Sequence, residues 1–384
     1  MLESEFGEMA KHSNTFRHYG IDVRRDLATN RVFLDQRTYI KQLKPFVFSG
    51  KVDKLAVADK EQNTQFRSLV SAIAWAGITS PLANAIASLY QGFLPEVSYG
   101  QMVLLNEALQ QLFTEYTPIC FRHGFNVLAA DLRLVVISDS SLANAQKYSQ
   151  GTHDIMLCRS SNNVLCGMMS LLSFKSSKSK RVASSTYHAE TLAATGGLEE
   201  AQFLQSWLFE LSEPSSTISA LLEPPRDKLI KLVLCTDCHD LHAALINPAS
   251  PTGITNKAMM LYIVGLREIQ QLGLLEQWVW IDTRDNLANL GTKIETTGKL
   301  PAEDLYSVLR FGSWEPVHPY RWHSMLTDPT SVVAEELPMP PMPLSKEPIV
   351  IRAPQFADDS SMRATAMFVT VLCDRKPHSP ALYG

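Results

Sequence analysis

Three acidic residues, Asp139, Glu190 and Asp237, fall where three different elements would carry them. The apolar run LRLVVIS (132–138) reads as a strand ending at Asp139. Glu190 lies in the first turns of a helical stretch, and Asp237 follows a second strand, Leu229–Cys235. Carboxylates gathered at strand ends beside a helix make an oxygen-rich pocket suited to Mg²⁺ (or Mn²⁺), a hard cation. Two such ions about 3.5–4 Å apart can activate a water and stabilise the leaving oxygen of a phosphodiester. Spacing alone leaves open the opposite reading, in which all three are solvated turn residues.

Two other motifs compete for the same residues. Cys235-Thr-Asp-Cys238-His239 spells a haem-attachment word, C-x-x-C-H, but packing roles suit both cysteines better. His188, Glu190, Cys235 and Cys238 also outline a zinc-dependent deaminase, with one His and two Cys as ligands and Glu as proton shuttle. That outline wants a Pro before the first Cys, where Leu234 stands.

The elements that must position these groups follow an α/β order. Leu132–Ser138, Asp154–Ser160 and Val164–Phe174 read as strands, the last two joined by a Ser-Asn-Asn turn at 161–163. A long amphipathic helix spans about 185–211, and Gly196-Gly197 in its middle could kink it. Strand Leu229–Cys235, helices His239–Ile246 and Asn256–Leu272, strand Gln277–Ile281 and a helix from near Asn286 complete the block. Upstream, Thr15–Val23 and Arg31–Leu34 are strand candidates, and 36–47, 65–92 and 101–114 read as helical. Pro81 should split the second of these stretches in two. Trp75, Trp207, Trp278 and Trp280 are expected to pack in cores.

Composition narrows the classes. At 384 residues the chain has room for about two to four domains, and 45% apolar residues can build their cores. Lys plus Arg (35) against Asp plus Glu (39) leaves a net charge of −4, so a nucleic-acid site would be a local patch. No apolar run reaches the ~18–20 residues of a membrane span, and MLESEFGEMA is no secretory signal. Six cysteines are too sparse for a disulfide scaffold. The expectation is a chain that is neither membrane-bound nor secreted and works inside the cell, in cytoplasm or nucleus.

The words around the three carboxylates occur in a telling order: ISDSS (137–141), ASSTYHAETLAA (183–194), LVLCTDCHDLHAAL (232–245) and WIDTRDNLANLGTK (280–293). They resemble the ribonuclease H domain of copia-type retrotransposon polyproteins, whose words run roughly S-D-A-D, S-S-T-E-A-E-Y, C-D-N-Q-S-A and T-x-x-N-x-A-D-x-x-T-K. Upstream, FRHYGIDVRRD (16–26), VFLDQRTYIKQL (32–43) and FRSLVSAIAWAGITSP (66–81) resemble the end of that family's reverse transcriptase. The resemblance covers about 16–310. It implies a mostly helical thumb and connection remnant over 1–120 and a ribonuclease H-like domain over 131–310. That domain would be a mixed five-stranded sheet, its first three strands antiparallel, with flanking helices. Residues 311–384, with the Pro- and Met-rich stretch 338–348, would be linker and largely disordered tail.

The resemblance assigns Asp139, Glu190 and Asp237 to metal ligation in hydrolysis of the RNA strand of an RNA–DNA hybrid. Lys175, Lys178, Lys180 and Arg181 match a basic stretch that would meet hybrid phosphates. Two departures count against full activity. The polymerase word Y-x-D-D is not in this chain, so no DNA synthesis is expected, and any fingers and palm would come from a partner. Asn289 stands where the family has its fourth carboxylate, so a two-ion site would hold its second ion weakly; Asp285 is a possible substitute if its segment is helical. The alternative is an inactive module that binds nucleic acid without cutting.

Overall fold

Alternating burial builds the first sheet. The computed structural model describes residues 14–122, 131–145, 148–160, 167–213, 224–246, 257–314, 316–318 and 321–324. These fall in one compact unit, Met1–His323, apart from Ser324. The turn at 161–163, the 338–348 stretch and the rest of the expected tail beyond 324 lie outside the described residues. Strands β1 (Thr15–His18) and β2 (Ile21–Asp26) form a hairpin closed by Tyr19 and Gly20, at φ 46° and 77°. Two left-handed residues give the turn a twist that matches its strands. Expected as one strand over 15–23, this segment is therefore two. Strand β3 (Arg31–Asp35) follows, and β4 (Ile119–Phe121) closes the antiparallel order β1-β2-β3-β4. The N-terminal region thus carries a sheet as well as helices, because β4 pairs with β3 across more than eighty residues of chain.

The helices of this region are set by local chemistry. Only one turn, α1 (Arg37–Ile40), forms where 36–47 was expected helical. Pro45 disfavours helical backbone at Lys44, and Asn106 grips both the amide (2.8 Å) and the carbonyl (3.0 Å) of Phe46. Helix α2 (Lys60–Ala76) starts at a capping box of Asp59 and Gln62. Helix α3 (Pro81–Gln91) starts at Ser80 with Pro81 in its first turn, the split expected from the sequence. Helix α4 (Tyr99–Glu115) has a second capping box, Ser98 with Gln101. Trp75 is half-exposed at the end of α2 and not in the core.

The second sheet holds the acidic residues. Strands β5 (Leu132–Ala145), β6 (Tyr148–Ser160) and β7 (Gly167–Lys178) pair antiparallel. Strand β8 (Lys231–Thr236) then runs parallel to β5, and β9 (Leu275–Trp280) parallel to β8. The inner order β7-β6-β5-β8-β9 is the mixed five-stranded sheet expected; a short sixth strand, β10 (Arg321–Ser324), adds at the β9 edge. Helices α5 (Thr186–Ser212), α6 (His239–Ile246) and α7 (Lys257–Gln271) cover one face through a cluster that includes Val136, Leu198, Leu234, Ile263 and Trp278. In place of the helix expected near Asn286 the chain makes two 3₁₀ turns, Thr283–Asp285 and Leu287–Gly291. The second of these packs on β5 and β6, while α3 packs on β7. A last helix, α8 (Glu303–Phe311), ends at Gly312.

Side chains from the N-terminal region lock onto this sheet. Asn84 accepts from the Ser176 amide (2.9 Å), and Gln150 donates to Ser88 (2.6 Å) and to Ser176 (2.8 Å). Gln111 bonds both backbone groups of Leu300 at 2.8 and 2.9 Å.

Helix α5 runs unbroken across its glycine pair. A Cβ on Gly197 would stand 2.7 Å from Val136 Cγ1 and 3.1 Å from His153 Cβ, whereas one on Gly196 would meet nothing within 4 Å. Gly197 is therefore the point where the helix lies closest on β5 and β6. Gly196→Ala should stabilise the fold by up to ~1 kcal/mol through helix propensity. Gly197→Ala should destabilise it by about 1–3 kcal/mol through overpacking. Urea titration reads both as opposite shifts of the midpoint at constant slope.

Candidate metal centre

Strand register brings the carboxylates together. Strands β5 and β8 are parallel neighbours in which Ser138 pairs with Thr236. The next residues, Asp139 and Asp237, therefore lie at one level: Asp237 just past the end of β8, and Asp139 midway along β5, which runs on to Ala145 and does not end at Asp139 as the sequence suggested. Helix α5 delivers the third group. Its cap, Ser185, accepts from the His188 amide at 3.1 Å, and Glu190 follows just after the first turn. The Ser140 amide donates to Glu190 Oε1 at 3.2 Å, which ties the helix to the middle of β5. One carboxylate oxygen from each of Asp139, Glu190 and Asp237 lies within 4.8 Å of the others. All three sequence-predicted ligands are thus gathered in one place.

This crowding is electrostatically costly. Asp139 and Glu190 are buried, and Asp237 is half-buried. Burial, then the charge of Asp237, pushes the Asp139 carboxyl up to about 6, against a restraining hydrogen bond from Thr292. Burial, then the charges of Asp139 and Asp237, pushes Glu190 up to about 9. Glu190 Oε2 is buried with no hydrogen-bond partner. A buried oxygen of that kind costs free energy unless something binds it.

Several supporting residues carried no expectation. The Thr292 hydroxyl, itself buried, donates to Asp139 Oδ2, and the exposed Lys293 ammonium favours the ionised form of Asp139. Asn286 spans the site's floor, donating to the Ser138 carbonyl (3.1 Å) and accepting from the Ala288 amide (3.0 Å). The Trp280 indole, expected as core, donates to the Asp237 carbonyl at 3.1 Å. The visible signal for Thr292, Lys293 and Asn286 was their place in the word WIDTRDNLANLGTK.

Asn289 and Asp285 are otherwise engaged. Asn289 is partly exposed; its amide donates to the Thr283 carbonyl, and its Oδ1 accepts from Lys293 Nζ. Asp285 does not substitute for a fourth carboxylate. Its segment is 3₁₀ rather than α-helical, and its buried carboxylate accepts from the amides of Val317 (3.2 Å) and His318 (2.9 Å) and meets His318 Nδ1 at 3.1 Å.

The basic cluster divides. Lys175 is half-buried on β7 close to Glu200. Burial pushes the Glu200 carboxyl up, but hydrogen bonds from His153 and Ser173 and the charges of His153 and Lys175 outweigh it and hold the group near 2. Lys178, Lys180 and Arg181 are exposed at the end of β7 and in the loop that leads to α5. Arg181 lies over the Tyr262 ring at 5.1 Å.

The zinc outline does not assemble. Cys235 is fully buried in β8 and Cys238 half-buried, and neither forms a metal-capable group with His188 among the described residues. Among the described residues, the one group able to hold a metal is Asp139, Glu190 and Asp237. No protein-family model and no curated protein matches this chain.

Three outcomes follow from the charges and hydrogen bonds of the site. Glu190 is raised in the folded state, so the folded protein binds more protons than the unfolded chain between about 4.3 and 9, and stability falls as pH rises through that window. Glu190→Gln should flatten that fall and raise Tm at pH 8 by several degrees in metal-free buffer, as followed by circular dichroism. Divalent-ion binding at pH 7 should release close to one proton, read by calorimetry in buffers of different ionisation enthalpy. Thr292→Val should weaken Mg²⁺ binding by roughly 10-fold or more through its hold on Asp139, read in the same titration.

Proposed function

We propose that this chain is a metal-dependent nuclease of the ribonuclease H type, hydrolysing the RNA strand of RNA–DNA hybrids. The observation that carries the reading is the convergence of Asp139, Glu190 and Asp237 from two parallel strands and one helix. The sheet order β7-β6-β5-β8-β9, its first three strands antiparallel, is compatible with a ribonuclease H-like fold. The ordered words of the sequence support the same reading.

The donor set suits a hard divalent cation: carboxylate oxygens only, mutually repelling, with the buried Oε2 of Glu190 left without a partner. Asp139, Glu190 and Asp237 would hold Mg²⁺ or Mn²⁺. Such an ion, when bound, lowers the pKa of water and offsets charge on a scissile phosphodiester. Ser140 and Thr292 hold the oxygens of Glu190 and Asp139 in place. Lys178, Lys180 and Arg181, on the path into α5, would meet the hybrid backbone, which is read by shape and 2′-OH groups. Residues 1–120 are read as the end of a reverse transcriptase, without polymerase activity of their own. On this reading the chain works inside the cell, in cytoplasm or nucleus. No helix among the described residues is long and apolar enough to cross a membrane.

Asn289 supports a second reading. The fourth position is neutral, and its carbonyl oxygen is taken by Lys293, so a second ion gains no charge there. A protein that binds hybrid and cuts it slowly or not at all is consistent with that arrangement.

Cleavage of an end-labelled RNA–DNA hybrid by the full chain, in Mg²⁺ and then Mn²⁺, separates the two. Cutting is expected, and Asp139→Asn or Asp237→Asn should reduce it by more than the roughly 10–100-fold typical of losing an outer-shell partner. Asn289→Asp should raise the rate. Hybrid binding with no cutting in either the native or the Asn289→Asp protein would favour the binding module. Cutting that survives Asp237→Asn would overturn the site assignment.

A further inference from the structure

A second charged site lies far from the carboxylates. The register Asp139–Thr152–Ser176 across β5, β6 and β7 marks the level of the metal centre. Gly167 and Met168 begin β7 at the other end, nine residues before Ser176, roughly 30 Å along the strand. There, an open cavity of about 460 Å³ is lined by Arg31, Arg122, Met168, Phe311 and Trp314.

Arg122 is buried, with only 8% of its surface exposed, and has no carboxylate partner among the described residues. Its Nη2 donates to the Leu309 carbonyl at 3.0 Å, and its Nη1 makes longer contacts to the carbonyls of Cys120 (3.4 Å) and Met169 (3.5 Å). Its Nε is buried and finds no acceptor. Three neutral acceptors for five donors leave a positive charge in the cavity wall without compensation. Burial opposes its ionisation, the Cys120 thiol works the other way, and the cation Arg31 adds to the opposition. Asp26, the cross-strand neighbour of Arg31, spends its carboxylate on the Ala28 amide (3.0 Å) and the Thr29 hydroxyl (2.7 Å). Beside this pair, Phe311 is 73% exposed, an apolar surface next to an uncompensated charge.

The geometry points to an oxyanion site here, in which Arg122 and Arg31 take a phosphate group and Phe311 gives an apolar surface to whatever carries it. A guanidinium pair suits phosphate through planar, charge-assisted donors. The phosphate of a free nucleotide and the phosphodiester of a nucleic-acid strand share that chemistry. The site rests on its own residues and stands apart from the nuclease reading, although a strand bound at the carboxylates could supply the phosphate.

The test uses the full chain in EDTA, where no cutting occurs. Because Arg122 also holds three carbonyls, the informative variant is Arg31→Gln, with Arg122→Lys as the conservative companion. Two probes are used: a labelled RNA–DNA hybrid followed by anisotropy across a salt series, and inorganic phosphate or adenosine monophosphate followed by thermal shift. If the ligand is a strand, Arg31→Gln should weaken hybrid binding several-fold and lower the salt slope by about 1. If it is a free phosphate compound, hybrid binding stays unchanged while the thermal shift given by phosphate or the nucleotide is lost in Arg31→Gln. Unchanged slope and unchanged thermal shifts in both variants would overturn the proposal. Loss of hybrid binding in the native protein with a persisting phosphate shift would count against the nuclease reading and leave this site standing.

Discussion

The parallel pairing of β5 with β8 is the constraint on which the site depends. Ser138 sits opposite Thr236, so the residues that follow, Asp139 and Asp237, are forced side by side where β8 ends. A slip of one residue would turn one carboxylate to the opposite face of the sheet. That register is held by the core: Val136 and Leu134 of β5 and Leu234 and Leu232 of β8 all lie in the cluster under α5, α6 and α7. Burial of those side chains, each worth about 1.5–3 kcal/mol, offsets what the carboxylates lose by crowding.

The crowding is nonetheless visible throughout the surrounding polar structure. Ser140 and Thr292 donate into the cluster, Lys293 sets a positive charge near it, and Trp280 fixes the carbonyl of Asp237. None of these satisfies Glu190 Oε2. A buried acid left in that condition is held above its ordinary titration range, and a bound cation would return it to the ionised form. The 3₁₀ segment that carries Thr292 is in turn fixed by Asn286 to β5 and by Ser176 to Gly291. Ser176 receives Gln150 and, at its amide, Asn84 of α3, so the N-terminal region supports the floor of the site.

That dependence changes how the N-terminal region is understood. It is no appendage: Tyr90 reaches the Gly298 carbonyl at 3.0 Å, Gln111 grips Leu300, and Arg122 holds the Leu309 carbonyl. The same packing places two arginines around a cavity at the far end of β7 from the metal centre. One fold thus holds two chemically opposite features, an acidic cluster midway along β5 and a cationic cavity at the start of β7.

The sequence by itself determined the elements and the acidic trio. Apolar runs bounded by polar residues announced β5 and β8, helical periodicity announced α5, and Pro81 announced the split between α2 and α3, because these signals are local. Asp139, Glu190 and Asp237 were legible from the apolar runs and the helix start beside them, although β5 runs on past Asp139 to Ala145. Tertiary structure decided what depends on contacts between distant segments. It paired β4 with β3, added β10, replaced an expected helix with 3₁₀ turns, and turned Asp285 toward His318 and away from the carboxylates. It also made Gly197 a point of close approach instead of a kink, and drew Thr292 onto Asp139 across 153 residues. Hydrogen bonds and steric contacts of that range leave no periodic trace in a chain, since their partners are chosen by packing and not by spacing.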